Sequence, residues 1–333
     1  MGKRGPFQSA VFLTALALFM VAGAGRAIAQ GGQKLTIYYV DHGVKMQNYP
    51  FWPVYYKGIE DATAMLAPLG VEVKHLIAGE ENLQTQIDML RQAVAANPDG
   101  LVTTMRDPKS YESILKPLIE KGIPIMAANV EDPRPSGQRI PYLAYYGEDN
   151  SKSGTDLAEA LIARLKETRA KKPGFALLVA PVANNLLWET RLRLFGERLA
   201  KEYGTKYETI VDLNQTGMRA YVEKHPEVDI ICAHEYPIHS QYIQQLKGMG
   251  KHPGKDIYLA CIDVGAGSLQ DFKDGYVAAA YDEQPYLQGY LPLFDLYLYL
   301  TKHKVHPVRV TTGIIIDQHN VDSVLGGARA GYR

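Results

Sequence analysis

Asn97-Pro98-Asp99-Gly100-Leu101-Val102-Thr103-Thr104-Met105 is a turn followed by a short apolar run. The turn closes a helical stretch capped by Asn82 and running to Ala96, because Pro removes an amide donor and Gly takes backbone angles that other residues avoid. Leu101 to Met105 is too short for a buried helix and suits a fully buried strand. A helix from Ser110 to Lys121 follows and stops at Gly122, after which Ile123 to Ala128 is apolar again. Helix, strand, helix, strand in this rhythm predicts an α/β protein with parallel sheets, since parallel neighbours need a crossover helix between them.

The same rhythm extends in both directions. Upstream, Leu35 to Val40 reads as a strand, Trp52 to Leu69 as a helix with Trp52, Tyr56, Ile59, Leu66 and Leu69 on one face, and Val71 to Ile77 as a strand. Tyr142 to Tyr146 completes a first sheet of about five strands. The pattern then restarts with a helix from Ser153 to Glu167 and a strand from Phe175 to Ala180. Helices Leu187 to Tyr203, Met218 to Lys224 and Ser240 to Lys247 alternate with strands Glu208 to Val211, Asp229 to Ala233, Ile257 to Ile262 and Tyr276 to Ala280. A helix from Tyr286 to Lys302 and an extended segment from Thr311 to Ile316 have no sheet of their own, so they dock on the existing lobes and make those lobes discontinuous.

A length of 333 residues fits two lobes. Met1 to Ala29 has the three parts of an export signal: Lys3 and Arg4, an apolar stretch from Ala10 to Ala24, and Ala27-Ile28-Ala29 at the cut. The apolar stretch, about 15 residues, is short for a membrane span of roughly 20. Removing Lys3, Arg4 and Arg26 from the 36 Lys and Arg leaves 33 against 36 Asp and Glu, which argues against a polyanion binder. The two cysteines, Cys232 and Cys261, are too few for a disulfide scaffold or a Cys-based zinc site; a single bridge or two buried thiols both remain open.

Six stretches occur in the order and spacing of a known family: NYPFW (Asn48 to Trp52), PDGLV (Pro98 to Val102), EKGIPIM (Glu120 to Met126), GEDN (Gly147 to Asn150), the ACID run ending at Asp263, and DEQP (Asp282 to Pro285). The chain resembles the type I periplasmic sugar-binding proteins, the ribose and galactose class of receptors for ABC importers, over essentially all its length after the leader. The resemblance implies two Rossmann-like lobes with parallel sheets joined by a three-strand hinge, with crossovers near Tyr146 to Asn150, Asp282 to Pro285 and Ile314 to Asp317. The expected division is a signal peptide at 1–29, an N-terminal lobe from 30–146 plus 285–313, and a C-terminal lobe from 147–284 plus 314–333. Related repressors begin with a DNA-binding helix-turn-helix; here an export signal stands in its place.

Ligands of open α/β sheets sit beyond the carboxyl ends of strands. In the first lobe that rule selects Asp41, Asn48, Phe51, Trp52, Asp107 and Asn129, with His42 and Arg106 beside them. In the second it selects Asn185, Trp188, Glu189, His234 and Asp263, with Asn184 and Glu235 beside them and Glu283 and Gln284 at a crossover. A sugar offers a CH-rich face and a belt of hydroxyls, so aromatic surfaces mixed with amides and carboxylates fit it. Phe51 and Trp52 resemble the family's stacking aromatics, or they begin the apolar face of the first helix. Asp263 resembles the hydroxyl-binding aspartate, or it caps a helix starting near Gly267. Glu283 and Gln284 fall where the family places a ligand-binding amide or acid, or they satisfy hinge backbone.

The chain departs from the pentose-binding pattern at three places. Asn129-Val130 replaces an Asp-Arg pair, Leu187-Trp188-Glu189 stands where a ligand-binding Arg is expected, and His234-Glu235 replaces Asn-Asp. Fewer guanidinium forks and more aromatic surface make ribose a poor expectation and admit another sugar, a polyol or a less polar molecule. His234 and His239 lie five apart around Pro237, not the spacing of a zincin helix. His303 and His306 suit a helix end, and Gly265-Ala266-Gly267-Ser268 lacks the Gly-Lys-Ser/Thr ending of a phosphate loop. No nucleophile elbow or paired hydrolytic carboxylates occur in the sequence. The expected protein is therefore a periplasmic receptor, not an enzyme. It needs no cofactor, metal or nucleic acid, acts as a monomer, clasps a small neutral solute and presents it to an inner-membrane ABC permease. A sensor feeding a membrane kinase or chemoreceptor, and a carrier of an amphiphilic ligand, are the rival expectations.

Overall fold

The computed structural model describes residues 34–44, 51–79, 82–183, 185–234, 238–265, 267–302 and 309–333; the leader and Asn48 lie outside the described residues. Its first sheet is built from β1 (Leu35–Val44), β2 (Val71–Gly79), β3 (Gly100–Thr103), β4 (Ile125–Ala128) and β5 (Tyr145–Gly147), interleaved with α1 (Phe51–Leu66), α2 (Leu83–Ala95) and α3 (Pro108–Glu120). The second follows as α4 (Ser153–Glu167), β6 (Phe175–Ala180), α5 (Leu186–Tyr203), β7 (Lys206–Val211), α6 (Gln215–Lys224), β8 (Val228–His234), α7 (Ile243–Gly248), β9 (Tyr258–Ile262), α8 (Leu269–Lys273) and β10 (Val277–Asp282). The chain ends with α9 (Pro285–Lys302), β11 (Arg309–Thr311), β12 (Ile314–Ile316) and α10 (Val321–Arg329).

Each sheet has six strands, one more than the rhythm of the sequence promised. The orders are β2-β1-β3-β4-β5-β11 and β7-β6-β8-β9-β10-β12, the same path traced twice. All pairs are parallel except β10 with β12. The extra strand in each comes from the segment read as one piece at Thr311 to Ile316. It breaks at Thr312-Gly313 and supplies β11 to one sheet and β12 to the other, so the third crossover lies just before the expected Ile314 to Asp317. At Gly313 a Cβ would meet the Tyr281 ring and hydroxyl, so a larger residue would have to displace that side chain.

Every residue of β3, β4 and β9 is buried, as expected for strands covered by helices on both faces. Two apolar clusters flank each sheet. Helix pairs close the layers by backbone contact: a Cβ on Gly58 of α1 would strike the Tyr286 carbonyl, one on Gly289 of α9 the Tyr55 carbonyl, and one on Gly154 of α4 the Arg191 carbonyl. The glycines thus fix how near these helices approach. Cys232 and Cys261 are buried free thiols. Register sets Cys232 beside Ala260 and Cys261 beside Ala233, so the two side chains enter opposite faces and different clusters, which rules out a bridge.

Candidate functional site between the carboxyl edges

All three crossovers leave one sheet at its carboxyl edge and enter the other layer at that same edge. β5 passes into the N-terminus of α4, β10 into the N-terminus of α9, and β11 into β12, which runs antiparallel to β10. This connectivity turns the carboxyl ends of the two sheets toward each other. The strand order reverses between β1 and β3 and between β6 and β8, the points where such sheets open a crevice. A hollow lined by Arg164, Glu167, Ala278, Gln318 and His319 lies at the opposite, amino edge of the second sheet and is unrelated to these strand ends.

At the first switch point β1 runs further than its sequence suggests, carrying Asp41 and His42 into the sheet. Asp41 is fully buried; it accepts from the Gly43 amide at 2.7 Å and is hydrogen-bonded to His75 Nε2. His42 Nδ1 meets Thr104 Oγ1 at 2.8 Å, and the buried Gln86 donates to that hydroxyl at 2.8 Å while accepting from Tyr111 at 2.7 Å. Burial, aided by Arg106, pushes the His42 imidazole down to about 3, so it is neutral at physiological pH. Phe51 and Trp52 are buried against Tyr55, Tyr56 and His42, with the Trp52 and His42 ring centroids 5.0 Å apart. Here they begin the helix face packed on its own sheet. Asp107 starts α3 and accepts from Ser110 Oγ at 2.6 Å.

The second lobe is more highly charged. His234 Nε2 lies 3.0 Å from Asp263 Oδ2, and the His234 ring rests against Trp188 at 5.5 Å. Asp263 does not cap the following helix, whose N-cap position is Ser268. Asn185 caps α5, accepting from the amides of Leu187 and Trp188 at 3.1 and 3.3 Å. Glu189, one residue beyond Trp188, points to the exposed side of α5. At the crossovers Glu283 is buried and pairs with Arg191 at 2.9 Å, while Gln284 donates to the Thr312 carbonyl.

Arg191 is the residue that sequence reasoning missed. The loss of a guanidinium fork at Leu187-Trp188-Glu189 is offset three residues later, where Arg191 is 2% exposed and also forks onto Glu148 of the first crossover. The signal was present: Trp188, Arg191, Leu192, Phe195 and Leu199 form one buried stripe on α5, and an arginine inside such a stripe needs a buried partner. Burial pushes Glu148 up to about 8 and Glu283 up to about 7, with Arg191 working against the rise in both. Burial opposes the charge on Arg191, but Glu148, Glu283 and Asp263 outweigh it and hold the guanidinium protonated. Gln288, fully buried, was missed as well. It accepts from Asn129 at 3.0 Å and donates to the Glu283 carbonyl at 2.8 Å.

Asn129 and Asp263 occupy equivalent places. Each directly follows the fourth strand along its sheet path, each has a left-handed backbone (φ 59° and 69°), and each donates its amide to a tyrosine carbonyl of the next strand at 2.8 Å. Asn and Asp tolerate that conformation better than other side-chain-bearing residues, and here it recurs at matched strand ends.

Residues 43–304 match the family described as periplasmic binding protein domain. The xylose/arabinose-binding protein of Sulfolobus acidocaldarius is 25% identical over 298 residues, covering 84% of this chain and 71% of that protein. A carbohydrate transporter of Acidothermus cellulolyticus, solved with myo-inositol, superimposes with a TM-score of 0.69 at 24% identity, covering 90% of this chain and 100% of that one. A periplasmic ribose ABC transporter of Conexibacter woesei gives 0.68 at 19% identity, covering 89% and 96%.

Proposed function

The chain belongs to the periplasmic binding protein domain family, and from that premise we propose that it is a receptor that clasps a neutral sugar or polyol between two lobes and delivers it to an ABC permease. We propose lobes of 30–146 plus 285–313 and 147–284 plus 314–333, which agrees with the sheet membership of every strand but β5, whose last residue, Gly147, falls just past the boundary. The observation that carries the reading is the opposed pair of strand ends bearing Asn129 and Asp263 in matched left-handed positions. Asp41, Asp107 and Asn129 would serve the solute from one side, and Asp263, His234, Trp188 and Asn185 from the other, with Glu283 and Gln284 at the hinge. Carboxylates accept from hydroxyls, amides both accept and donate, and indole rings cover CH faces. Binding stabilises closure to the extent that the solute touches both sets better when they meet. No bond in the solute is broken.

We place the mature protein in the periplasm, exported by Met1–Ala29. Among the described residues no helix is long and apolar enough to cross a membrane. The solute relatives carry in their names, xylose, arabinose, ribose and myo-inositol, form the natural panel. Calorimetry with that panel, together with mass spectrometry of solute retained through native purification, tests the proposal. A binding isotherm for one member and a smaller radius of gyration on saturation are expected. No heat with any member, an unchanged radius and a retained amphiphile would overturn it in favour of the apolar carrier.

A further inference from the structure

The three crossovers are the segments whose backbone must turn when the lobes close, and two of them end on the same side chain. Glu148 comes one residue after β5 and Glu283 one residue after β10, while Arg191 belongs to α5 of the second lobe. The guanidinium forks onto Glu148 through Nε and Nη2, and its Nη1 lies 2.9 Å from Glu283 Oε1. The third crossover is tied to the same point. The Thr312 hydroxyl donates to the Glu283 carbonyl at 2.7 Å, and Gln288 Nε2 donates to that carbonyl at 2.8 Å and to the Thr312 hydroxyl at 3.2 Å. Arg191, Glu148, Glu283, Gln288 and Thr312 are all buried.

We propose that Arg191 is the positioning residue of the hinge: it fixes the angle between the first two crossovers, and the two carboxylates converging on its single positive charge make that angle respond to protons. This rests on the reading of the chain as a lobe-closing receptor. The groups facing the pair are Asp149 on the first crossover, Asp263 after β9, Asp282 at the end of β10, and the phenols of Tyr145 and Tyr281. Asp263 has His234 and Asp282 has Arg333, so those acids bring their own cationic or proton-bearing partners. Two buried carboxylates on one guanidinium are favoured with one proton retained between them, and burial raises both in that direction. When the proton leaves, the glutamates repel across Arg191. What they push on is the pair of crossovers, so the hinge loosens.

The experiment uses the full protein without solute, so its result is independent of whether the sugar panel binds. Nitroxides are placed on Lys116→Cys in α3 and Lys201→Cys in α5; both positions are exposed, and the native thiols are buried away from the reagent. Pulsed electron spin resonance then reads the separation of the lobes. From about pH 6 to about pH 9 the parent distribution is expected to broaden toward longer distances, the range in which raised carboxyls release protons. Glu148→Gln, which leaves one carboxylate on Arg191, is expected to remove that response. Arg191→Gln is expected to give a broad distribution at every pH, narrowed in part by Arg191→Lys. A pH response that survives Glu148→Gln, or an Arg191→Gln distribution with the parent's centre and width, overturns the proposal. If Arg191→Gln does not fold, the Glu148→Gln comparison decides alone.

Discussion

The two lobes follow one strand path and differ in the chemistry at its end. In the first, the left-handed residue Asn129 is held by the neutral amide of Gln288, and the neighbouring His42 is kept uncharged within a chain of hydroxyl and amide hydrogen bonds. In the second, the equivalent Asp263 is paired with His234, and Arg191 with Glu148 and Glu283 lies next to it. A common backbone frame therefore carries two kinds of chemistry: an amide and hydroxyl network around Asn129 in one half, and ion pairs around Asp263 and Arg191 in the other.

The largest expected effect breaks what the lobes share. Gly58→Val and Gly154→Val each drive a side chain into a facing carbonyl, so each should cost more than about 3 kcal/mol or prevent folding, visible as a collapse of the thermal midpoint in circular dichroism. Next come the matched positions. Asp263→Ala removes a carboxylate, and its loss of sugar affinity should be about 3 kcal/mol, against about 1 kcal/mol for the neutral Asn129→Ala, both read by calorimetry. Equal losses would mean that the difference in charge does not matter to the solute.

A smaller effect lies in pH. Glu148 and Glu283 hold protons in the folded state to about 8 and about 7, above their ordinary value of 4.5, so the folded protein binds more protons than the unfolded chain as pH rises between these limits. Stability therefore falls across that window. His42 has the opposite sign: pushed from 6.5 to about 3, it excludes a proton that the unfolded chain binds, and its contribution is complete above 6.5 and lost on acidification toward 3. Urea midpoints should thus decline from about pH 4.5 to about pH 8, and Glu148→Gln should flatten the decline. His42→Phe should leave the decline above about pH 6.5 unchanged and flatten the acid limb. The smallest effect is at the thiols. Burial raises Cys232, and a thiol reagent should find neither cysteine until urea exposes both.

Much of the frame was legible in the sequence. The turn at Asn97-Pro98-Asp99-Gly100 and the alternation around it fix parallel sheets, and α4 and β6 have the limits that periodicity alone assigns, Ser153–Glu167 and Phe175–Ala180. The break at Gly313 was not legible, because an extended run does not say which sheet each half joins. Single polar residues at strand ends were easy to select, since position after a strand is a local property. Arg191 with Glu148, and Gln288 with Asn129, were not selected, because those pairs span 43 and 159 positions and depend on how the helices turn. Phe51 and Trp52 show the converse: the residue types suit a sugar, but as the first residues of α1 they lie in an apolar face that serves the lobe's own interior.

The division of β11 and β12 between the sheets also bears on the order of assembly. Both sheets take their sixth strand from one short stretch, the two strands only two residues apart, so a chain that has not reached Arg309 lacks the sixth strand of either. One short segment therefore finishes an edge of each sheet, and losing it would leave a strand edge open in both.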